Sequence, residues 1–438
     1  MFRVSFILAV AALSVPGRVA DRPNFVLCMT DDQGWGDVSY NGLAAAKTPH
    51  LDEMAASGLR FDRFYSAAPV CSPTRGSFIT GRHPNRFGCF LYGYPIRPQE
   101  FTIAQAVKPL GYATGHFGKW HLNGVSGPGK PIPAGDPLHP GRLGFDEWLS
   151  VSNFFDLNPA MSRNGTTVEL TGDGSDLIAE EAIRFIGRAA AQKKPFLALV
   201  WFGNPHNPHR ALPEDRAKAG GSDYYGEIVG IDRAMGRLRG ELRRLGIAED
   251  TLLLFTSDNG ATGPGSTGGL RGKKGSVWEG GVRVPGIVEW PARIPRPRAT
   301  NVPVSSSDIY PTVMDIVGIK GPYPVEPLDG ISFLPLIEGK MTERPRPIGF
   351  WHYAPRKGKE AFGKNEGQAA WTDNRYKLHR LGPERYELYD LAADPQEKDD
   401  LSASKPEIVR KMKGELDAWQ ESVLKSFRGE DYGGVKKP

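Results

Sequence analysis

The strongest constraint on the fold comes from short runs that are apolar on nearly every position. Residues 24–29, 195–202 and 251–256 are of this kind, the pattern of strands buried on both faces of a mostly parallel sheet. Residues 112–118 read as a fourth extended segment. A sheet of this type needs helices on its faces, and the stretches at 176–190 and 224–245 are suited to supply them. Further helices are expected from Thr48 to Gly58, over 101–110 and over 308–317, and residues 59–65 read as another strand. Each of the four strands runs into chargeable or metal-ligating residues: Asp31 and Asp32, Lys119 and His121, His206 and His209, Asp258 and Asn259. Ligands of open α/β sheets bind beyond the carboxyl ends of strands. Adjacent carboxylates there repel one another unless a cation joins them, which favours a hard metal such as Ca²⁺ or Mg²⁺. Lys119 and His121, two apart on an extended chain, point to one side and toward one anionic target.

A second feature is the pentapeptide Cys71-Ser72-Pro73-Thr74-Arg75. It reads as a helix start, with Ser72 or Thr74 as cap and Pro73 in the first turn. A helix N-terminus beside Arg75 favours an anionic group at position 71 or bound next to it. The bland alternative is a buried thiol, and the pentapeptide alone does not decide between them.

Composition narrows the partners. A net charge of +5 without any run of more than two consecutive Lys or Arg argues against nucleic acid; it suits an anionic small molecule or polysaccharide, and equally an ordinary solvated surface. Three cysteines, Cys28, Cys71 and Cys89, do not make a disulfide scaffold, and whether Cys28 and Cys89 pair is open. Arg3 followed by an apolar stretch over 5–15 reads as a signal peptide of residues 1–20, too short to span a bilayer. The expectation is therefore an exported protein, periplasmic or extracellular, with no stable membrane span.

The motifs, taken in order, resemble the formylglycine-dependent sulfatases of the alkaline phosphatase superfamily, of the arylsulfatase and N-acetylgalactosamine-6-sulfatase kind. The resemblance rests on Thr-Asp-Asp-Gln-Gly at 30–34, the pentapeptide, Thr-Gly-Arg at 80–82 and Gly-Lys-Trp-His at 118–121. It continues with Pro-His-Asn-Pro at 205–208, Ser-Asp-Asn-Gly at 257–260 and Lys-Gly-Ser-Val-Trp-Glu-Gly-Gly at 274–281. It implies that Cys71 is converted to formylglycine by a formylglycine-generating or sulfatase-maturating enzyme. It implies one Ca²⁺ held by Asp31, Asp32, Asp258 and Asn259 together with residue 71. Arg75 would orient the gem-diol of formylglycine, Lys119 would bind it and the sulfate, and Lys274, favoured over Lys273, would hold a sulfate oxygen. His206 would protonate the departing alcohol and His121 would act as the base, while His116 and His209 receive no role.

The fold implied is α/β, alkaline-phosphatase-like: a large mixed, mostly parallel sheet flanked by helices, plus a small C-terminal antiparallel sheet with one helix. Residues 21–343 would form the catalytic domain and 344–438 the smaller one, with strands at 348–353, 368–372, 376–381 and 387–390 and a helix over 406–427. Trp351, His352 and Tyr353 are candidates for stacking on a sugar at the pocket mouth. The substrate expected is a sulfate ester of a sulfated carbohydrate. The alternatives are a phosphonate or phosphate monoester hydrolase of the same superfamily and a non-catalytic binder of sulfated glycans with unconverted Cys71. Asn259 beside Asp258, with ligands for a single metal, argues against a two-metal phosphatase.

Overall fold

The computed structural model describes residues 22–355 and 362–433. The expected signal peptide lies outside the described residues.

In chain order the strands are β1 (Asn24–Thr30), β2 (Leu59–Phe61), β3 (Phe64–Tyr65), β4 (Ala113–Lys119), β5 (Glu147–Val151) and β6 (Ala160–Arg163). They continue with β7 (Thr166–Glu169), β8 (Phe196–Trp201), β9 (Thr251–Ser257), β10 (Arg283–Val284), β11 (Gly286–Glu289) and β12 (Arg298–Thr300). The last are β13 (Val304–Ser305), β14 (Ile348–His352), β15 (Gln368–Thr372), β16 (Tyr376–Arg380) and β17 (Tyr386–Asp390). A large sheet runs β12-β2-β11-β9-β1-β8-β4-β5-β6-β7. Its centre, β9-β1-β8-β4-β5, is parallel throughout, so the carboxyl ends of the four expected strands share one edge.

The uniform hydrophobicity of those strands follows from burial on both faces. Phe25, Leu27 and Met29 of β1 join Leu197, Leu199 and Trp201 of β8 in one core with Phe78, Ile79, Ile309 and Val313. The alternate residues Val26, Cys28, Ala198 and Val200 join the opposite core with Ile178, Ala182, Ile231 and Met235. The helices Cys71–Thr80 and Ile309–Ile316 thus cover one face, and Gly174–Ala191 and Asp223–Arg244 the other.

Residues 59–65 do not form one strand. The chain turns at Asp62 and Arg63, so β2 stays in the large sheet while β3 pairs with β10 and β13 in a separate small one. The turn is held where Arg63 donates to Tyr65 Oη (3.1 Å) and to the Asp373 and Asn374 carbonyls (3.2 and 2.5 Å).

Strands β14-β15-β16-β17 form an antiparallel sheet, and the helix Pro406–Phe427 lays Met412, Leu416, Val423 and Leu424 against it. Trp351 and Tyr353 belong to this core, at 1% and 3% exposure, packed with Phe90 and Phe362. Trp351 is enclosed by that core and lines no rim, whereas His352 and Tyr353 border a surface pocket together with Gly275 and Gln368. Cys28 and Cys89 are unpaired and buried; Cys28 faces the helices and Cys89 Sγ donates to the Tyr94 carbonyl (3.3 Å). Among the described residues no helix is long and apolar enough to cross a membrane.

Candidate active site

Three carboxylates and an amide converge at the shared edge. Asp31 and Asp32 follow β1, and Asp258 and Asn259 follow the adjacent β9, whose Ser257 pairs with Thr30. The Asp258 amide donates to the Thr30 carbonyl (3.1 Å) and the Asp32 amide to Asp258 Oδ1 (3.2 Å), locking the two strand ends together. Asp32 takes a positive φ of 68° as the chain leaves the strand.

Three cations face this cluster. Arg75 donates from Nε (3.0 Å) and Nη2 (2.6 Å) to Asp258 Oδ2 and from Nη1 to the Lys119 carbonyl (3.1 Å). Its guanidinium lies over Trp201, 5.2 Å from the ring centroid. Lys119 Nζ donates to Asp31 Oδ2 (2.6 Å). Lys274 Nζ bridges both oxygens of Asp32 (2.6 and 2.8 Å) and lies 3.5 Å from Cys71 Sγ. Lys273 instead donates to the Gly263 carbonyl at the exposed loop (2.9 Å), so the geometry distinguishes the two lysines.

The helix carrying Cys71 begins at that residue, and every position of it is buried. Neither Ser72 nor Thr74 caps it. Thr74 Oγ1 instead donates to the Ala68 carbonyl (2.8 Å) and accepts from the Ala68 amide (3.2 Å), while Ser72 Oγ accepts from Gly93 N (2.9 Å). The open helix end does not produce a thiolate. Burial pushes the Cys71 thiol up to about 12, against the pull of Lys119 and Lys274. An unmodified Cys71 is therefore a neutral thiol at physiological pH and a poor nucleophile.

The two expected histidines differ in setting. His206 stacks on Phe154 (4.4 Å, 13°), and its Nδ1 donates to the Asn207 carbonyl (2.6 Å), leaving Nε2 3.7 Å from Asp32 Oδ2. Burial and Lys119 hold it down, at about 4, despite Asp32. His121 is buried with neither ring nitrogen in a hydrogen bond. Burial, then Lys119, Arg75, His206 and Lys274, hold it well below the usual histidine range. The chain at His121 is not extended, with φ 55°, so the simple alternation expected after Lys119 does not apply there.

The residues fit a hard divalent cation. Asp31 Oδ1 and Asn259 Oδ1 are buried oxygens that accept no hydrogen bond. Burial and the carboxylates of Asp258 and Asp32 push Asp31 upward against Lys119 and Arg75, whereas Lys274 overcomes burial to hold Asp32 down. Carboxylates so crowded resist ionising together unless a cation joins them. Donor atoms of Asp31, Asp32, Cys71 and His206 also lie within 4.8 Å of one another. The sequence places the cluster but misses its supports: Trp201 under Arg75, Phe154 under His206, and Asp37. Asp37 accepts from Tyr224 Oη (2.6 Å), the Ser266 amide (2.8 Å) and the Gly34 amide (2.9 Å), fixing the loop after Asn259. The aromatic ending of the run at 195–202 was the available signal for Trp201. His209 is outside the cluster, beside Glu227 (3.4 Å), and His116 is enclosed by Trp120, Phe145 and Trp201.

A mostly parallel sheet with an oxygen-rich cluster and fixed cations at its carboxyl edge defines an alkaline-phosphatase-like α/β hydrolase of anionic esters. The sulfatase family model matches residues 23–319, and a second model, N-sulphoglucosamine sulphohydrolase, C-terminal, matches 272–422. N-acetylgalactosamine-6-sulfatase of Sus scrofa is 34% identical over 383 residues, covering 77% of this chain and 70% of the relative. The ulvan-active sulfatase of Formosa agariphila is 29% identical over 443 residues, covering 94% and 83%. The crystal structure of Ps i-CgsB in complex with k-i-k-neocarrahexaose superposes with a TM-score of 0.82 at 27% identity, covering 94% of this chain and 97% of that one. The chain belongs to the sulfatase family and is a sulfuric ester hydrolase.

Proposed function

We propose that the protein hydrolyses sulfate esters of a sulfated carbohydrate, with residue 71 as formylglycine and one Ca²⁺ held by Asp31, Asp32, Asp258, Asn259 and residue 71. The observation that carries this is the convergence of Lys119, Lys274 and Arg75 on those carboxylates beside Cys71. Formylglycine, once hydrated, supplies a hydroxyl nucleophile that the buried neutral thiol does not. When bound, Ca²⁺ neutralises charge on the sulfate oxygens.

The remaining chemistry is done by the chain's own side chains. Lys119 and Lys274 are fixed donors whose ammonium groups can turn from Asp31 and Asp32 to a sulfate oxygen. Arg75, pinned by Asp258 and the Lys119 carbonyl, orients the group at position 71. His206 keeps its Nδ1 proton on the Asn207 carbonyl, so Nε2 is the atom left to face the leaving oxygen, and protonating that oxygen requires the imidazolium, with a proton on each nitrogen. His121 acts as the base in this reading: it is neutral and both ring nitrogens are out of hydrogen bonds, while burial and the cations around it make it a weak base that holds a proton only transiently.

The carbohydrate reading is supported by the relatives, two of which are named for N-acetylgalactosamine and ulvan, and by the neocarrahexaose in the similar structure. Export to the periplasm or the exterior, on a signal peptide over 1–20, and conversion by a maturation enzyme belong to the same proposal. So does a division near 343/344 into a catalytic domain and the small domain that starts with β14.

The test is the mass of the tryptic peptide spanning residue 71, from protein co-produced with a formylglycine-generating enzyme, alongside sulfate release from an aryl sulfate and sulfated polysaccharides. Aldehyde or its hydrate, with sulfate release, is expected. A persistent thiol without turnover would leave a glycan binder, and turnover of phosphonate esters alone would replace the substrate.

A further inference from the structure

The loop that carries Lys274 is anchored from the C-terminal sheet. Its base is closed where the Gly280 amide donates to the Arg271 carbonyl (2.7 Å), and its tip where Lys274 N donates to the Ala261 carbonyl (3.0 Å) and Gly275 N to the Pro69 carbonyl (2.9 Å). At the base, the Glu279 amide donates to Glu397 Oε2 (2.7 Å). The other oxygen of Glu397 accepts from His379 Nε2 (2.6 Å) and lies 3.5 Å from Lys377 Nζ. Lys377 donates in turn to Glu279 Oε1 (2.8 Å), whose Oε2 accepts from Tyr65 Oη (3.0 Å).

A stack reinforces this hub. Trp278 is sandwiched between the His379 ring at 3.9 Å and the Arg271 guanidinium at 3.6 Å. Arg271 also donates to the Glu397 carbonyl (2.9 Å). Glu279, Lys377, His379 and Glu397 are all fully buried, and Glu397 adopts a positive φ of 55° to turn into the site. A sheet that only needed a hydrophobic core would not bury two carboxylates, a lysine and a histidine, since each charge removed from water must be repaid by its partners.

We infer that Glu397 is a positioning residue for the reaction: with His379 and Lys377 it holds the 271–280 loop so that Lys274 meets residue 71 and Asp32. This rests on the role proposed above for Lys274. The small domain is then part of the catalytic apparatus without contributing a group to the chemistry. Its carboxylate acts through the Glu279 amide and the Trp278 stack, at the opposite end of the loop from the ammonium group.

The test is a double-mutant cycle on the matured, full-length enzyme with an aryl sulfate as probe. Glu397→Gln is expected to lower kcat/KM roughly tenfold to a hundredfold, mainly in kcat, the scale of a misplaced catalytic group. In a Lys274→Ala background the same change is expected to cost less than about twofold, because the residue it acts through is gone. An equal loss in both backgrounds, or no loss from Glu397→Gln in a folded enzyme, would overturn the inference. Lys274→Ala matching the parent would remove the Lys274 role itself, and the inference with it, which the single variant alone reveals. Should Glu397→Gln fail to fold, His379→Phe keeps a ring on Trp278 while deleting the bond to Glu397, and the same cycle applies to it.

Discussion

Asn259 supplies an amide where its neighbours Asp31, Asp32 and Asp258 supply carboxylates. Its Nδ2 donates to Asp32 Oδ1 (2.8 Å) and to the Gly260 carbonyl (3.0 Å). Asn259→Asp would replace both donor contacts with oxygen facing oxygen and add a fourth negative charge beside the place proposed for sulfate. The ion-free protein should melt lower than the parent, and added Ca²⁺ should raise its melting temperature by more than it raises the parent's. Sulfate release should nonetheless fall by at least about tenfold in kcat/KM, about 1.4 kcal/mol, because the extra charge opposes an anionic substrate. Calcium titration followed by calorimetric melting and turnover reads all three. A variant with unchanged turnover would mean that the charge balance of the cluster does not govern substrate binding.

At the scale of single elements, the helix Cys71–Thr80 depends on Thr74 rather than on a cap. Thr74 Oγ1 satisfies both the amide and the carbonyl of Ala68, in the loop that delivers residue 71. Thr74→Val keeps the shape and leaves both groups buried without that partner, which should cost about 1–3 kcal/mol in urea unfolding. Activity should drop beyond the loss of folded protein, since the same loop sets residue 71. How much was legible follows from the physics of each element. The buried strands β1, β8 and β9 are readable because burial on two faces demands uninterrupted hydrophobes, and the helix Pro406–Phe427 because its apolar stripe repeats with the helical period. The hairpin β6–β7 was missed although Asn164-Gly165, both with positive φ, is a strong turn signal. Its strands are short and partly exposed, so they lack an apolar pattern. The split between β2 and β3 was not legible because it depends on Arg63 reaching carbonyls more than 300 positions away. In the candidate site the charged residues were legible by their place after strands. The hub at Glu397 was not, because nothing local marks a carboxylate whose partners come from distant segments.

At the scale of the whole molecule, the seam between the large sheet's helices and the C-terminal helix is built from groups that titrate. His83 is buried, its ring edge-on to Trp419 at 4.8 Å, and its backbone amide donates to Asp329 Oδ2 (2.5 Å). Arg86 forks onto Asp329 (2.7 and 2.8 Å) and reaches Ser422 and Ser426, while Trp419 Nε1 donates to Asp329 Oδ1 (2.8 Å). Burial, outweighing Asp329, pushes His83 down to about 3. Arg86 and His83 overcome burial to hold Asp329 well below the usual carboxylate range. Between about pH 6.5 and 3 the unfolded chain binds a proton at residue 83 that the folded chain refuses, so stability falls as pH drops through that window. Asp329 adds to the loss only below about pH 4, where its unfolded form begins to protonate. His116 and His352, also held low by burial, act in the same direction as His83. One such histidine can contribute up to about 1.4 kcal/mol per pH unit in this window. Buried carboxylates act in the opposite direction: burial pushes Asp37, Asp173 and Asp232 up to about 6 and Asp156 up to about 7, so each gains stability for the fold as pH drops from 7 to 5. The share of His83 is therefore read by comparing a variant with the parent in urea unfolding at pH 7 and pH 5. His83→Asn keeps an acceptor near the position of Nδ1, which takes the Asn85 amide (3.3 Å), and removes the titration. Compared with the parent, it should raise the midpoint at pH 5 relative to that at pH 7. The same pH dependence in variant and parent would mean that His83 does not carry this linkage, with His116 and His352 the next to substitute.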